Sequence, residues 1–472
     1  MGKIYLVDSE NVGDIWVPLL VSSQEDDEVL VFYTTKSPHM NYENVRMLKE
    51  TEKEADFIKC FEGSNALDFQ LVTELGYRLS QNAAREYVIV SNDTWRTRLN
   101  NNDLIIGASG SGKTSGYVIP NIKLCGESMV ISDTKGLLYD KLHNELLASG
   151  YEVKLLDFVK MSKSSCYNPL DYIRVDAETE KVCEQDVLSV AYSLLPTTRQ
   201  DDPFWEETAR MVLASLVAFV KEALPGAEQD MVSVTSLANM LYTGSDAESL
   251  FNELERHKPD SFAVKKFKGY RDIMTSSKKS WACVLQFLNV ALNTYDFADV
   301  RNMLRGENKI WVEDLGRKKV ALFVNVSDTD HTYDNLINVF YTQAIQCLCR
   351  EADNNPDGRL EVPVRIILDD YAGSAVIADF DKIISVIRSR NLSVSVVLQS
   401  ISQLDSLYTP AQAMTILNGC DHMLYLGGQD VDTARHISVK ANKPIREILN
   451  MSIDEAYLFE RGSKPRLVKR AS

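Results

Sequence analysis

Residues 107–114 read GASGSGKT, which is the pattern G-x-x-x-x-G-K-[ST] of a phosphate-binding loop. The apolar run Leu104–Ile106 precedes the loop, and a segment of helical character follows it towards Pro120. Glycines allow consecutive N–H groups to turn towards phosphate oxygens, and the N-terminus of the following helix adds a partial positive charge. The alternative is a glycine-rich turn with a lysine by chance. The complete pattern in a strand–loop–helix context favours a loop that binds a nucleoside triphosphate.

Each position of this loop has an expected role. Lys113 is long enough to reach the β and γ phosphates of ATP, and the Thr114 hydroxyl suits Mg²⁺, which prefers hard oxygen ligands. The other positions expected to contact the phosphates are Gly107, Ser109, Gly110, Ser111 and Gly112.

Composition limits the class of protein. The chain has 472 residues, more than a typical single domain, so two or three units are expected. A net charge of −16 argues against a generally basic surface but allows a local basic channel. The eight scattered cysteines form no C-x-x-C pair, which favours reduced thiols over zinc. No apolar run reaches 18 residues and the N-terminus lacks the layout of a signal peptide, so we expect a cytoplasmic chain without a transmembrane segment.

Residues 1–94 are predicted to form a small α/β domain. Strand-like runs at 3–7, 29–33, 56–60 and 86–90 alternate with a helical pattern at 66–79, which favours a parallel sheet. Three carboxylates fall at strand ends or at a helix start, where open sheets place their sites: Asp8, Asp68 and Asp93. Such carboxylates can hold Mg²⁺ or Mn²⁺ for phosphodiester hydrolysis. Helix caps and turns are the alternative, since Asp is favoured there as well.

The strings LVDSENV, NALDFQL and IVSND resemble a branch of the PIN-like nuclease superfamily over most of residues 1–93. The resemblance implies that Asp8, Asp68 and Asp93 are metal ligands or their neighbours. The family's S-x-D element is normally followed by a further helix and strand, whereas Trp95 already belongs to the next unit. We therefore expect a curtailed domain with weak metal binding, and both a nuclease and a binding role remain open.

The rest of the chain is predicted to form a second α/β unit with a helical insertion. Apolar runs that predict buried strands occur at 104–106, 129–131, 151–156, 320–326, 364–368, 393–398 and 423–426. Between them, residues 176–305 show helical spacing and are predicted to be an all-α subdomain. This divides the α/β unit into 95–175 and 306–472. The basic tail from Arg461 is interpreted as a solvated end.

An apolar strand, Val364–Leu368, ends in Asp369 and Asp370. This is the Walker B pattern, in which the first acid holds Mg²⁺ and the second orients the attacking water. Asp369 and Asp370 are therefore predicted to complete the site that Lys113 and Thr114 begin.

Together, several strings resemble the TraG-like coupling ATPases of conjugative type IV secretion systems over about residues 95–440. They are LNNNDLIIGASGSGKTSGYVIPNI, ISDTKGLLYD, NPLDYI, DPFWEETAR, SVIRSRNLSVSVVLQSISQL and LNGCDHMLYLGGQD. The resemblance implies a RecA-like P-loop NTPase domain with an inserted all-α domain. It also implies a homo-hexamer that uses ATP and Mg²⁺ to move relaxase-bound single-stranded DNA towards type IV secretion components.

The same resemblance implies roles for further residues. Gln399 falls at the position of a polar sensor for the γ-phosphate, and Arg388 or Arg390 is a candidate finger for a neighbouring subunit. The helical segment 176–305 is then expected to face the relaxosome.

The chain departs from this family in two places. The family normally begins with transmembrane helices, where this chain has the PIN-like unit. The family string DEFAN has Glu after the Walker B acid, whereas DDYAG places Asp370 there, which is one methylene shorter and is expected to slow hydrolysis. Three hypotheses stay open: a conjugative coupling ATPase, a soluble nuclease–ATPase of a mobile element or defence system, and an ATP-binding adaptor without turnover.

Overall fold

The computed structural model describes residues 2–6, 16–22, 28–34, 87–91, 94–124, 126–195, 204–244, 247–371 and 376–469. Its centre is a nine-stranded sheet with the order β13-β12-β11-β5-β10-β9-β6-β8-β7. The strands are β5 (Asp103–Ile106), β6 (Ser128–Asp133), β7 (Glu152–Asp157), β8 (Val320–Asn325), β9 (Val364–Leu368), β10 (Leu392–Leu398), β11 (His422–Tyr425), β12 (Glu455–Glu460) and β13 (Arg466–Lys469).

In the run β11-β5-β10-β9-β6-β8-β7 each strand is parallel to the next. Beyond β11, β12 and β13 extend the sheet with antiparallel pairing. Strands covered on both faces appear in sequence as continuous apolar runs, and β5, β8, β9 and β10 are buried along their whole length. Successive residues point to opposite faces: Leu104 and Ile106 join one hydrophobic cluster, and Ile105 joins the other.

Helices cover both faces of the sheet unequally. On one face lie a π-helical turn at Thr114–Val118 and two helices, α2 (Ile119–Leu124) and α3 (Leu137–Ala148). The opposite face carries α11 (Asp334–Asn354), α12 (Phe380–Val386), α13 (Ile401–Leu407), α14 (Pro410–Asn418), α15 (Val431–Ala441) and α16 (Ile445–Leu449). A short helix, α1 (Thr94–Thr97), precedes β5.

Among the described residues between β7 and β8 there are seven α-helices and no strand. They are α4 (Glu184–Leu194), α5 (Phe204–Ala223), α6 (Met231–Thr243), α7 (Ala247–His257), α8 (Phe262–Ser276), α9 (Lys278–Leu292) and α10 (Ala298–Arg305). Their core is aromatic: Phe251 and Phe267 stack with centroids 4.3 Å apart, and Tyr270 stacks on Trp281 at 5.8 Å. These side chains belong to the same hydrophobic cluster as one face of the sheet.

A buried ion network joins the middle strands of the sheet. The Arg365 guanidinium on β9 donates to Glu127 Oε2 at 3.0 Å and lies 3.4 Å from Asp103 Oδ2 on β5. It also donates to Ser395 Oγ on β10 at 3.3 Å. These contacts fix the order β5-β10-β9 at the edge opposite to the phosphate-binding loop.

Two strands that the sequence did not predict, β12 and β13, follow the last predicted strand at 423–426. The basic tail forms β13, in which Val468 is buried while Leu467 is 38% exposed. Charged residues at an edge strand block further pairing, so the basic composition that indicated a solvated end is compatible with a strand.

In the N-terminal unit, four strands are described: β1 (Gly2–Leu6), β2 (Trp16–Ser22), β3 (Glu28–Thr34) and β4 (Tyr87–Ser91). The pairs β1–β4 and β2–β3 are antiparallel, whereas the sequence pattern predicted parallel pairing. Only five residues connect β2 to β3, too few for the crossover that parallel strands need. The predicted strand at 56–60, the helix at 66–79, and the candidate ligands Asp8, Asp68 and Asp93 lie outside the described residues.

Candidate nucleotide site

The GASGSGKT loop leaves β5 between two neighbouring strands and is fastened to both. Gly107 N–H donates to Leu398 O of β10 at 3.1 Å, and Ala108 N–H donates to Gly427 O after β11 at 3.0 Å. A Cβ at Gly107 would lie 2.8 Å from Leu426 Cβ and 2.4 Å from Ser111 Oγ, so a larger residue would clash there. Ser109 and Gly110 form the exposed tip of the loop. Sequence reasoning missed the anchoring role of Gly427, which the glycine pair after β11 could have indicated.

Lys113 ends the loop and is buried beneath it. Its ammonium donates to the carbonyl oxygens of Gly107 at 2.8 Å and Ala108 at 3.2 Å. Burial lowers the pKa of Lys113, and the nearby carboxylates Asp370 and Asp369 oppose that shift. Gly112 precedes Lys113 with φ +81°, a left-handed conformation that glycine adopts without strain.

Thr114 connects the loop to the Walker B strand. Its hydroxyl donates to Asp369 Oδ2 at 2.8 Å across a sequence separation of 255 residues. Asp369 is buried, and this burial raises its pKa to about 6, against the hydrogen bond from Thr114 and the charge of Lys113. A hydroxyl and a carboxylate are the hard oxygen donors that Mg²⁺ prefers, so Thr114 and Asp369 fit the metal predicted for them.

Asp370 has an unusual environment at the same place. Its φ is +47°, in the left-handed region that Asp tolerates better than most residues, and its N–H donates to Asp369 Oδ1 at 3.1 Å. Its Oδ1 is buried and meets no hydrogen-bond partner within the described ranges, which omit 372–375. Strained backbone and an unpartnered carboxylate oxygen are typical of a group that contacts a ligand.

The structure brings Gln399 to the same edge of the sheet. Gln399 follows β10, which lies between the loop strand β5 and the Walker B strand β9. Gln399 is exposed. Its backbone N–H donates to Gln403 Oε1 at 2.8 Å. Gln399 therefore stands between Thr114 and Asp369 in strand order.

Arg388 and Arg390 lie at the opposite edge, in a 3₁₀ turn that precedes β10. The seven residues of β10 separate them from the loop by about 20 Å. Arg390 pairs with Asp353 at 2.7 Å, while Arg388 donates to Thr94 O at 2.8 Å. Neither arginine belongs to the site of its own chain, and a role towards a neighbouring subunit stays a prediction.

A family model described as "Type IV secretory system Conjugative DNA transfer" matches residues 66–471. The chain belongs to this conjugative DNA-transfer family. A second model, described as "PIN domain", matches residues 2–99 and overlaps the first over 66–99. The resemblance of the sequence motifs to coupling proteins and to PIN-like domains is thereby confirmed.

Two relatives illustrate the range of this family. Protein VirD4 of Rhizobium radiobacter is 22% identical over 367 residues, which cover 76% of this chain and 50% of VirD4. The conjugal transfer protein TraG of Escherichia coli is 25% identical over 352 residues, which cover 70% of this chain and 53% of TraG. The chain spans about half the length of these relatives.

Solved structures share the fold. The plasmid coupling protein TrwB in complex with the ATP analogue ADPNP superposes with a TM-score of 0.60 at 20% identity, covering 80% of this chain and 86% of TrwB. TrwB with ADP and Mg²⁺ gives 0.58 at 19% identity, covering 78% and 85%. The predicted fold class, a RecA-like P-loop NTPase with extensive helical content, is confirmed. No helix of the described residues is both long and apolar enough to cross a membrane.

The raised pKa of Asp369 predicts a pH-dependent penalty on stability. Between pH 3.8 and about 6 the folded chain holds a proton that the unfolded chain has released, so stability falls as pH rises through this window. Asp369→Asn removes the penalty and keeps an acceptor for Thr114. We expect it to stabilise the metal-free protein by about 3 kcal/mol at pH 8 and by only about 1 kcal/mol at pH 4.5.

Thermal melts of both proteins across this pH range, without divalent metal, provide the measurement. Asp432→Asn, at an exposed carboxylate, controls for the loss of one negative charge. A gain for Asp369→Asn that is equal at pH 8 and pH 4.5 would contradict the assignment.

Proposed function

We propose that this chain is a P-loop ATPase that couples ATP hydrolysis to the movement of single-stranded DNA during conjugative transfer. The observation that carries the proposal is the hydrogen bond from Thr114 Oγ1 to Asp369 Oδ2, which joins the phosphate-binding loop to the Walker B acid. Membership of the conjugative DNA-transfer family supports the choice of DNA transfer over other work that such a site can drive.

The residues divide the work of hydrolysis. Lys113 and the loop N–H groups would bind the triphosphate, and Thr114 and Asp369 would hold Mg²⁺, whose charge would offset that of the phosphates. Asp370 orients the attacking water, since its Oδ1 has no protein partner in the described part of the chain. Gln399 senses the γ-phosphate from the strand between the two motifs.

We further propose the assembly in which this site works. The chain would form a homo-hexamer in the cytoplasm, bound to the inner face of the membrane through type IV secretion components. Residues 95–175 and 306–472 would form the motor domain, and the all-α subdomain 176–305 would face the relaxase and its DNA complex. Arg388 is the better candidate for a finger towards a neighbouring subunit, because Arg390 is paired with Asp353.

Asp370→Asn provides the test of turnover. Asn tolerates left-handed φ as Asp does, so the variant removes the charge with little change in backbone energy. We expect DNA-stimulated ATP hydrolysis to fall by about tenfold or more while ATP affinity stays within about twofold of the parent.

Lys113→Ala is the reference variant, and it should abolish tight ATP binding, because Lys113 is the one positively charged residue of the loop GASGSGKT. Phosphate release is measured on the full chain with and without single-stranded DNA. If the parent binds ATP but releases no phosphate in either condition, the chain is an adaptor and the motor proposal fails.

A second candidate function, a nuclease–ATPase, is favoured by the match of a PIN domain model to residues 2–99. In it Asp8, Asp68 and Asp93 would hold Mg²⁺ or Mn²⁺, and the motor would feed nucleic acid to them. Three carboxylates in one site repel one another without a cation, so metal should stabilise this unit.

The N-terminal metal site is tested by melting the full chain with Mn²⁺, with the P-loop metal held constant by excess ATP analogue and Mg²⁺. At a hundredfold excess over its dissociation constant, Mn²⁺ should stabilise the parent by about 2.7 kcal/mol, and Asp8→Asn with Asp93→Asn should abolish the gain. No Mn²⁺ effect, with a loss of about 1 kcal/mol per substitution, would instead mark these residues as caps. Efficient Mn²⁺-dependent cutting of single strands by the parent would rank the nuclease–ATPase above the coupling protein.

A further inference from the structure

A second cavity lies at the same edge of the sheet as the phosphate-binding loop, but apart from it. Its volume is about 470 Å³, and it opens beside the ends of β6, β8 and β7. Strands β10 and β9 separate it from the loop strand β5. Its lining includes Lys135, Gly136, Lys160, Lys163 and Asn325.

The position of this cavity follows from the connections of the sheet. After β6 the chain enters α3, whose leucines pack on one face, and after β8 it enters α11, which packs on the other. Adjacent parallel strands whose connections diverge to opposite faces leave a crevice beyond their carboxyl ends, where ligands of open α/β sheets bind. The same divergence occurs between β5 and β10, on either side of the phosphate-binding loop.

Asn325 ends β8 and lines this crevice, and its buried amide has an unused acceptor. The residue is 7% exposed, and its Nδ2 donates to Asp157 Oδ1 at 2.9 Å. Because a carboxylate accepts and cannot donate, this contact fixes which end of the amide faces Asp157. The other end, Oδ1, meets no hydrogen-bond partner in the part of the chain that the structure describes. A buried acceptor in a cavity wall calls for an N–H or O–H donor from a ligand.

Gly136 allows the opposite wall to approach this amide. Its φ is +67°, and a Cβ there would lie 3.2 Å from Asn325 Nδ2. The turn therefore presents backbone where any larger residue would press on Asn325.

Three lysines supply positive charge to the same cavity. Lys135, Lys160 and Lys163 line it, and none of the three ammonium groups pairs with a carboxylate among the described residues. The lining also holds the buried carboxylate of Asp157, whose Oδ1 accepts from the N–H groups of Val159 and Lys160 and from Asn325 Nδ2. Asp140 and Asp328 contribute to the lining from exposed positions. At the N-terminus of α3, Tyr139 N–H already donates to Asp133 Oδ2 at 2.9 Å.

We propose that this cavity is a second phosphate site. Lys135, Lys160 and Lys163 bind a phosphate, and Asn325 Oδ1 accepts from an N–H or O–H group attached next to it. A nucleotide unit has both features. Two sources share this chemistry: a free mononucleotide, which would regulate the enzyme, and one nucleotide of a single DNA strand, a source that rests on the proposed function.

The test uses the full chain with its phosphate-binding loop saturated by Mg²⁺ and a non-hydrolysable ATP analogue. Two probes are titrated: radiolabelled deoxycytidine monophosphate by equilibrium dialysis, and a fluorescent 12-nucleotide single strand by anisotropy. The variant is Lys160→Ala with Lys163→Ala, both exposed and outside the ATP site. Its control is Lys278→Ala with Lys279→Ala, which removes the same charge from exposed positions on α9.

We expect the Lys160/Lys163 variant to weaken binding of at least one probe by about tenfold, and the control to change it by less than about twofold. Asn325→Ala should weaken the same probe, and if it does not fold, the lysine variant alone decides. A monophosphate bound as tightly as the 12-mer identifies a free nucleotide as the ligand, and binding of the 12-mer alone identifies the strand.

The proposal is overturned if control and variant lose affinity equally, which would indicate diffuse electrostatics. It is also overturned if neither probe binds once the loop is saturated, since a buried water would then satisfy Asn325. Basal ATP hydrolysis should be unchanged in both lysine variants. If the parent does not hydrolyse ATP, the proposed motor function fails, but the proposal of a second phosphate site is unaffected.

Discussion

The hydrogen bond between Thr114 and Asp369 is the contact on which the functional geometry depends. It requires the carboxyl ends of β5 and β9 to meet at one edge of the sheet, and parallel strands satisfy this because all of them end on the same side. Two motifs that are 255 residues apart thus form one site, although no feature of the sequence between them indicates the contact. Burial disfavours the charged forms of the residues around this contact: it raises the pKa of Asp369 and lowers that of Lys113. A bound Mg²⁺ and a phosphate would stabilise these two charges.

The opposite edge of the middle strands is held by a different interaction. Arg365 bridges Glu127, Asp103 and Ser395 inside the sheet, where removing one partner leaves buried charges uncompensated. The middle strands are therefore held together near their amino ends by charged side chains, while the loops that follow their carboxyl ends form the candidate site. This division lets β5, β10 and β9 keep their order while the loops after them meet a nucleotide.

The sequence predicted those parts of the fold that have a local cause. Apolar runs such as Val364–Leu368 indicate strands buried on both faces, and GASGSGKT determines its own backbone through its glycines. Two strands that the sequence analysis missed have mixed signals. β13 combines charged ends with Leu467 and Val468, and β2 contains Pro18, so neither resembles an interior strand. The pairing partners of β1 and β4 depend on contacts far apart in sequence and could not be read from either strand.

The candidate site was predictable to the same extent. Lys113, Thr114 and Asp369 come together, and Gln399 lies at the same end of the sheet, because their motifs follow parallel strands, which the pattern already implied. The role proposed for Asn325 could not be predicted from the sequence. It depends on Asp157, Gly136 and three lysines, which only the fold brings together. The left-handed backbone of Asp370 is likewise a tertiary property.

The central claim is that Thr114 and Asp369 act as one magnesium site for ATP. A double-mutant cycle with Thr114→Val and Asp369→Asn, read out as the Mg²⁺-dependent affinity for an ATP analogue, tests it directly. Each single variant should lose most of the Mg²⁺ dependence, and the double variant should lose little more, giving a coupling energy of about 1 kcal/mol or larger. Additive losses, or an Mg²⁺ dependence that survives in all three variants, would contradict the account.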